Sequence, residues 1–482
     1  MNISAKHNRS ENTASTRVRI EALEQRLFFA AAPLLVHSIS NLIHARLGPP
    51  AVSAGGLVIV ASGGIPLTPP AFATMELYDP NTGKWELAPF PRPDSNIMAG
   101  SLGNLALFTP GDSLIDSKSP GYLDVYDTKG KTWSIIKSTF NPFNASINAV
   151  GNSIIVAKNK TANVFSGNHL HRQSSKIPLP IASLGTVVCG NVYYSVQNSE
   201  LLEKYNSATG RWSTIQLPQE FVANMDSVYG AIGSNLIFAS VHGLHPNTAI
   251  IYNTVTQTWN ELLIPDQQTA PSTITAIGNK VIFTFESESA PNVHIYDFSN
   301  QKWSADTLSD STQRAGISVT TLNNQAFLVG GHFSAIGLTG NVDIFTDTTP
   351  VPVLSGGLNG TAGHRVTVQI FNTGDAPLAS GAVVKIYATQ VRGVIDGTST
   401  LIGNQTLAQP LAATANKTLG IRTVIPGSVA GGTYYLTAAV DDGSMITPIA
   451  ASDATFMVRA KKAAPSLARR FSGAVTGLFR RS

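Results

Sequence analysis

Short apolar runs alternate with Gly- and Asn-rich turns along most of this chain. Seven times an apolar run ends in such a turn and a second run follows. The turns fall at Gly55-Gly56, Gly103-Asn104, Gly151-Asn152, Gly190-Asn191, Gly233-Ser234-Asn235, Gly278-Asn279 and Asn323-Asn324, with spacings of about 39 to 48 residues. Two-residue Gly/Asn connections between β-forming runs predict tight antiparallel hairpins. A second pattern recurs behind them: Tyr, then Asp or Asn, five further residues, then Trp. Its copies are Tyr78 to Trp85, Tyr126 to Trp133, Tyr205 to Trp212, Tyr252 to Trp259 and Tyr296 to Trp303, and they use all 5 Trp of the chain. Each copy predicts another hairpin. The Asp or Asn hydrogen-bonds the turn backbone. Gly83, Gly130, Gly210 and Asn300 are expected to take positive φ, and the Trp anchors the returning strand.

Two hairpins make four strands, and four-stranded sheets repeated around an axis make a β-propeller. The chain therefore reads as all-β. Seven first hairpins predict seven blades, or six if one weak unit is not a blade. The weak unit, 143–177, has Phe165 where the Tyr belongs and no Trp. The last unit, Arg314 to Phe345, holds only three strands. The segment Leu35–His44 is expected to supply the fourth and to close the ring, which removes open sheet edges.

Residues 36–346 resemble the kelch family. The family's double glycine survives as Gly63-Gly64 and Gly330-Gly331, and its Arg near the inner strand matches Arg92 and Arg314. Residues 347–356 are rich in Pro, Thr and Gly and read as a linker. Behind them, His364–Phe371, Ala382–Ala388, Lys417–Val424, Thr433–Val440 and Ala454–Val458 read as strands. About seven short strands in such a length predict an Ig-like β-sandwich over 357–458. Val366 to Gly374, Val384 to Tyr387 and Tyr435 to Asp441 resemble the bacterial cell-adhesion-related domain CARDB. Its usual Glu-x-Asn-Asn ending is replaced by Thr447 to Ser452. The likeness implies an extracellular module and no reaction.

Composition supports a large core, with 43% hydrophobic and 13% charged residues among 482. The net charge of +4 is uneven. Residues 1–48 carry six Lys/Arg against three acids, and residues 459–482 carry seven Lys/Arg and no acid, so the body between them is negative. The pI near 9.0 belongs to the ends. The body lacks the basic surface that nucleic acid requires. No run of 18 apolar residues exists, so no transmembrane helix is expected.

Within the polar N-terminus, 1–34, Leu23-Glu24-Gln25-Arg26-Leu27-Phe28-Phe29 resembles the Leu-Glu-Pro-Arg-x-Leu-Leu export segment of planctomycete proteins. Gln stands in place of Pro. The layout implies an extracellular or cell-surface location, and a surface amphipathic helix is the other reading. The tail 459–482 spaces Leu467, Phe471, Leu478 and Phe479 among basic residues. It reads either as a helix making peripheral membrane contact or as a solvated tail.

Chemistry-bearing motifs are few. Kelch-type copper oxidases need a Cys joined to a Tyr, and the single Cys189 lies at a hairpin turn. His169-x-His171 has metal-ligand spacing on a strand, without a nearby carboxylate. His242-x-x-His245 reads as a loop, and Asp441-Asp442 as a solvated turn. No P-loop, nucleophile elbow, dinucleotide fingerprint or Cys-x-x-Cys occurs. The expectation is no cofactor, no metal and no catalytic residue, with Arg92, His242, Arg314 and His332 as the ligand-facing candidates. The leading reading is a non-enzymatic binding or adhesion protein recognising protein or polysaccharide. The alternative is a sugar-active, mutarotase-like enzyme working in the propeller channel. A channel with convergent His, Arg and acidic groups separates the two.

Overall fold

The computed structural model describes residues 35–63, 74–92, 97–111, 121–143, 145–151, 153–158, 161–166, 171–173, 185–189, 192–196, 201–206, 211–218, 227–239, 247–265, 270–286, 291–310, 314–333 and 337–459. All regular structure among them is β. The readings of 1–34 and 460–482 lie outside these residues.

Seven four-stranded antiparallel sheets form seven blades, numbered here along the chain. Their innermost strands are Ala51–Ala54, Ala99–Leu102, Ser146–Val150, Gly185–Cys189, Val228–Ile232, Thr273–Ile277 and Ser318–Leu322. Each innermost strand touches the next, and the seventh touches the first, so the ring is closed. Second strands such as Leu57–Ala61 and Asn235–Ala239 are buried almost throughout, because both of their faces lie between neighbouring blades. Outer strands such as Lys84–Pro89 are mostly exposed.

The Tyr and Trp of each copy stand directly opposite one another on the third and fourth strands. Their ring centroids are 4.6 to 5.0 Å apart. At that separation the rings attract beyond simple area burial. The turn between them is held by Asp79, Asp127, Asn253 and Asp297, each of which accepts the backbone N–H two residues on. Positive φ falls at Gly83 as expected, but also at Lys131, Gln257 and Gln301, and not at Gly130 or Asn300. The side-chain cap fixes the turn so that its fifth residue after the Tyr must be left-handed, whichever residue stands there. A non-glycine residue in that conformation costs about 1–2 kcal/mol.

The weak unit is a true blade. Its third strand, Thr161–Ser166, pairs with His171–Gln173, and Phe165 fills the Tyr position fully buried. The second domain has two sheets, one of Leu354–Asn359, Arg365–Asn372 and Asn416–Arg422, the other of Thr400–Thr406, Val383–Thr389, Gly432–Asp441 and Ile446–Val458. Alternate residues Val366, Val368 and Ile370 meet Val384, Ile386, Leu436 and Ala438 in its core. The first strand begins inside the stretch read as linker. The last is far longer than Ala454–Val458.

Blade 7 takes its outer strand from the opposite end of the ring. Val36–Asn41 pairs antiparallel with Asn341–Thr346, from Val36 opposite Thr346 to Asn41 opposite Asn341. His37 occupies the place of the Trp and stacks on Phe345, with ring centroids 4.4 Å apart. Its Nε2 lies 2.8 Å from Asp343 Oδ1, and its Nδ1 lies 3.4 Å from Asp306 Oδ2 on the outer strand of blade 6. Burial disfavours the charged imidazole, but the two carboxylates outweigh burial and raise its pKa from 6.5 to about 9. A folded-state pKa above the unfolded value stabilises the fold fully below pH 6.5, and that stability is lost as pH rises through about 9. The melting temperature is expected to fall across this window, corresponding to at most roughly 3 kcal/mol, less whatever solvent screens at the part-buried ring. Thermal melts of His37→Ala should start lower at pH 6.5 and show no such slope; an unchanged slope disproves the latch.

Candidate functional site

The walls of the axis come from the seven innermost strands. Their sequences, among them AVSA, AGSL, SINAV and SVTTL, contain no Asp, Glu, Lys, Arg or His. No charged side chain therefore converges on the axis from these strands. Among the described residues no group of three metal-ligating side chains exists.

Charge is placed one layer out instead. Two residues before each repeat aromatic, on the third strand, stand Glu76, Asp124, Asn163, Glu203, Ile250, His294 and Asp343. All seven are buried. In three blades an arginine reaches this position from the segment leading into the same blade. Arg46 Nε lies 3.1 Å from Glu76 Oε1, and its Nη1 donates to the Ser62 carbonyl at 2.8 Å. Arg92 grips Asp124 with two nitrogens and lies over the Tyr122 ring, 4.2 Å from its centroid. Arg314 pairs with Asp343 and donates to the carbonyls of Gly330, Leu328 and Asn341. Blade 3 makes the same link with neutral groups: Thr139 donates to Asn163 and Asn163 to Ser138.

Arg92 and Arg314, expected to face a ligand, thus point into their blades. Their charges are used by buried carboxylates that would otherwise be unpaired at high cost. Arg46 plays the same part and has no counterpart in the sequence reading. Gly330 shows why glycine stands beside it, since a Cβ there would lie 2.7 Å from the Arg46 carbonyl oxygen at φ +64. His332 is half-buried on a short strand that pairs with Arg314–Ala315. His169, His242 and His245 lie outside the described residues, and His171 begins the outer strand of blade 3. Cys189 is buried, with its Sγ 3.0 Å from the Gly233 carbonyl, and burial raises its pKa to about 11, far from a reactive thiolate. Asp441 pairs with Lys385, and Asp442 caps its own turn through Ser444 and Met445.

Glu203 is the exception among the buried acids. Its Oε2 has no hydrogen-bond partner among the described residues, and burial raises its pKa from 4.5 to about 7. The segment 174–184 that leads into its blade lies outside the described residues.

The sandwich packs against strand ends of blade 4, at Cys189, Lys204 and Asn206, and against the Gly/Asn turns and Tyr–Trp hairpin turns of blades 5 and 6. Arg392 donates to the carbonyls of Thr254 and Val255 and pairs with Asp453 at 3.0 Å. Lys204 lies 3.6 Å from Asp453. Beside these contacts a cleft of roughly 680 Å³ opens between blades 5 and 6 and the sandwich. Asn235, Asn253, Asn279, Asp297 and Asn300 line its propeller side. Val353, Leu354, Met445 and Pro448 line the other.

No family model matches this chain, and no curated protein does. Among solved structures, the structure of YjhT is similar at 12% identity and a TM-score of 0.40, covering 64% of this chain and 97% of that one.

Two outcomes test the buried charges. Arg46→Met removes the guanidinium from the buried Glu76, leaving it the Ile43 and His44 backbone N–H groups, and should cost about 3 kcal/mol in denaturant unfolding. Arg92→Met should cost much less, because the Arg92 side chain is 31% exposed and water replaces it. Equal losses contradict this division of roles. Glu203 carries the opposite sign. A carboxyl whose folded pKa is raised loses stability as pH climbs from 4.5 to about 7. Glu203→Gln should therefore stabilise the protein by about 1–3 kcal/mol at pH 8, with the gain vanishing below pH 4.5.

Proposed function

We propose that this chain is a non-enzymatic binding protein of the bacterial cell surface or exterior. In this reading, residues 35–346 are a kelch-type propeller that recognises protein or polysaccharide. Residues 357–458 are a CARDB-like sandwich that holds it at the surface. The segment 1–34 directs export, and the basic tail 459–482 adds peripheral contact with an anionic surface. Nucleic acid is not a partner, because the excess positive charge lies in the two ends.

The observation that carries the reading is the uncharged wall of the axis. General acid–base chemistry on a sugar requires titratable groups within hydrogen-bond reach of the substrate. The innermost strands bring no Asp, Glu, Lys, Arg or His, and burial raises the pKa of their two titratable side chains, Tyr229 and Cys189, to about 12 and about 11, far from a working acid or base. The described arginines nearby are committed to Glu76, Asp124 and Asp343. Fold alone does not assign function, so the site chemistry carries this argument.

Cell fractionation of the natural host, joined to a glycan array and anomer-exchange NMR on sialic acid, tests the proposal. The expected result is recovery in the surface or extracellular fraction, binding on the array, and anomer exchange at the uncatalysed rate. A soluble cytoplasmic location, or catalysed exchange, overturns it.

A further inference from the structure

We propose that the cleft between blades 5 and 6 and the sandwich is a binding site for a neutral oligosaccharide. This rests on the binding-protein reading above and names its site and ligand class.

The cleft has the size of a small-molecule site, since such pockets run to roughly 300–1,000 Å³. It also has their composition, an apolar wall with a few polar groups. Its charges are fully spent. The Lys280 ammonium, almost completely buried, donates to Asn279 at 3.0 Å, Asp347 at 2.7 Å and Thr349 at 3.3 Å. Those contacts use its three donors. The Asp297 carboxylate accepts from Asn279 at 2.7 Å, from the Ser299 backbone at 2.8 Å and hydroxyl at 2.6 Å, and from Asn300 at 3.0 Å. A charged ligand would enter without a counter-ion and lose its hydration. A neutral one meets no such penalty.

One polar group in the cleft is unsatisfied. Ser234 lines it, is 8% exposed, and its Oγ is buried without a hydrogen-bond partner among the described residues. A buried hydroxyl left unpaired is costly, and rotation of the Ser234 side chain toward the cleft lets a ligand hydroxyl satisfy it. The Asn235 amide stands next to it, accepting from Asn253 through Oδ1 and leaving Nδ2 without a partner among the described residues. Hydroxyl and amide beside the half-buried Phe298 ring suit a sugar, which offers hydroxyl edges and an apolar C–H face. The propeller wall here consists of turns, at Gly233-Ser234, Gly278-Asn279 and Phe298-Asn300.

The experiment is calorimetric and saturation-transfer titration of the full chain with neutral gluco-, manno-, xylo- and galacto-oligosaccharides. Sialylated and sulfated sugars serve as charged controls. At least one neutral sugar should bind, and the charged ones should bind more weakly. Ser234→Ala should weaken binding about tenfold. Met445→Arg, at an exposed position on the cleft wall, should do so without changing the melting temperature. Ile135→Lys, on the outer strand of blade 2, should leave binding intact. Absence of neutral-sugar binding overturns this proposal. Sugar binding that survives both cleft variants also overturns it, yet leaves the binding-protein reading standing.

Discussion

The architecture depends on one pairing, that of Val36–Asn41 with Asn341–Thr346. Six blades are built from consecutive chain, and any six would leave two open ends. The seventh joins residues 306 apart in sequence, as with His37 and Asp343. Until that pairing forms, the Asn341–Thr346 strand exposes an unpaired backbone edge, which invites association with other chains. The latch is correspondingly over-determined. His37 stacks on Phe345 in the place of the Trp, and it bonds carboxylates from blades 6 and 7. Asp343 in turn pairs with the fully buried Arg314. Burial works against its charge, but His37 and Arg314 prevail and keep its carboxyl below the usual range. One aspartate thus ties the first strand, the last blade and the segment between blades 6 and 7 together.

The same logic repeats in weaker form around the ring. In blades 1, 2, 3 and 7 a buried polar residue two places before the aromatic anchors the segment that leads into its blade. Where the partner is arginine, the loop is clamped by charge, as with Arg46 and Arg92. In blade 3 it is held by neutral hydrogen bonds to Asn163, and in blade 5 Ile250 makes the contact apolar. The blades therefore share geometry while differing in the chemistry of one position. Such a ring tolerates the loss of a Tyr–Trp pair, because Phe165 still fills the inter-blade volume.

What was legible in the sequence follows from these facts. The Tyr–Trp spacing and the Gly/Asn turns are local, so hairpins, blade count and the closing segment could all be read. The polar position was also on the page, in Glu76, Asp124, Asn163, Glu203, His294 and Asp343 at a constant offset from the aromatic. It escapes a motif search because its identity varies. The left-handed residues at Lys131, Gln257 and Gln301 escape for another reason: the Asx cap imposes the conformation, and nothing in those side chains announces it. Arg92 and Arg314 were recognisable as repeat residues, but their direction was not. Only the buried acid opposite them decides that they hold the blade instead of facing a ligand.

The cleft shows the limit most clearly. Ser234 and Asn235 belong to a hairpin turn of blade 5, and Met445 to a hairpin of the sandwich more than two hundred residues later. No spacing rule connects them. They meet because Arg392 clamps the sandwich to the turn at Thr254 and Val255, and because the buried Lys280–Asp347 pair ties the connecting chain, as it leaves blade 7, to blade 6. Turns on that face are otherwise interchangeable parts of a repeat. Covering those of blades 5 and 6 with a second domain makes them different from the other described turns, and it does so without altering the repeat. An axis wall without Asp, Glu, Lys, Arg or His and a face made unique by docking set the junction between the two domains apart from the rest of the ring.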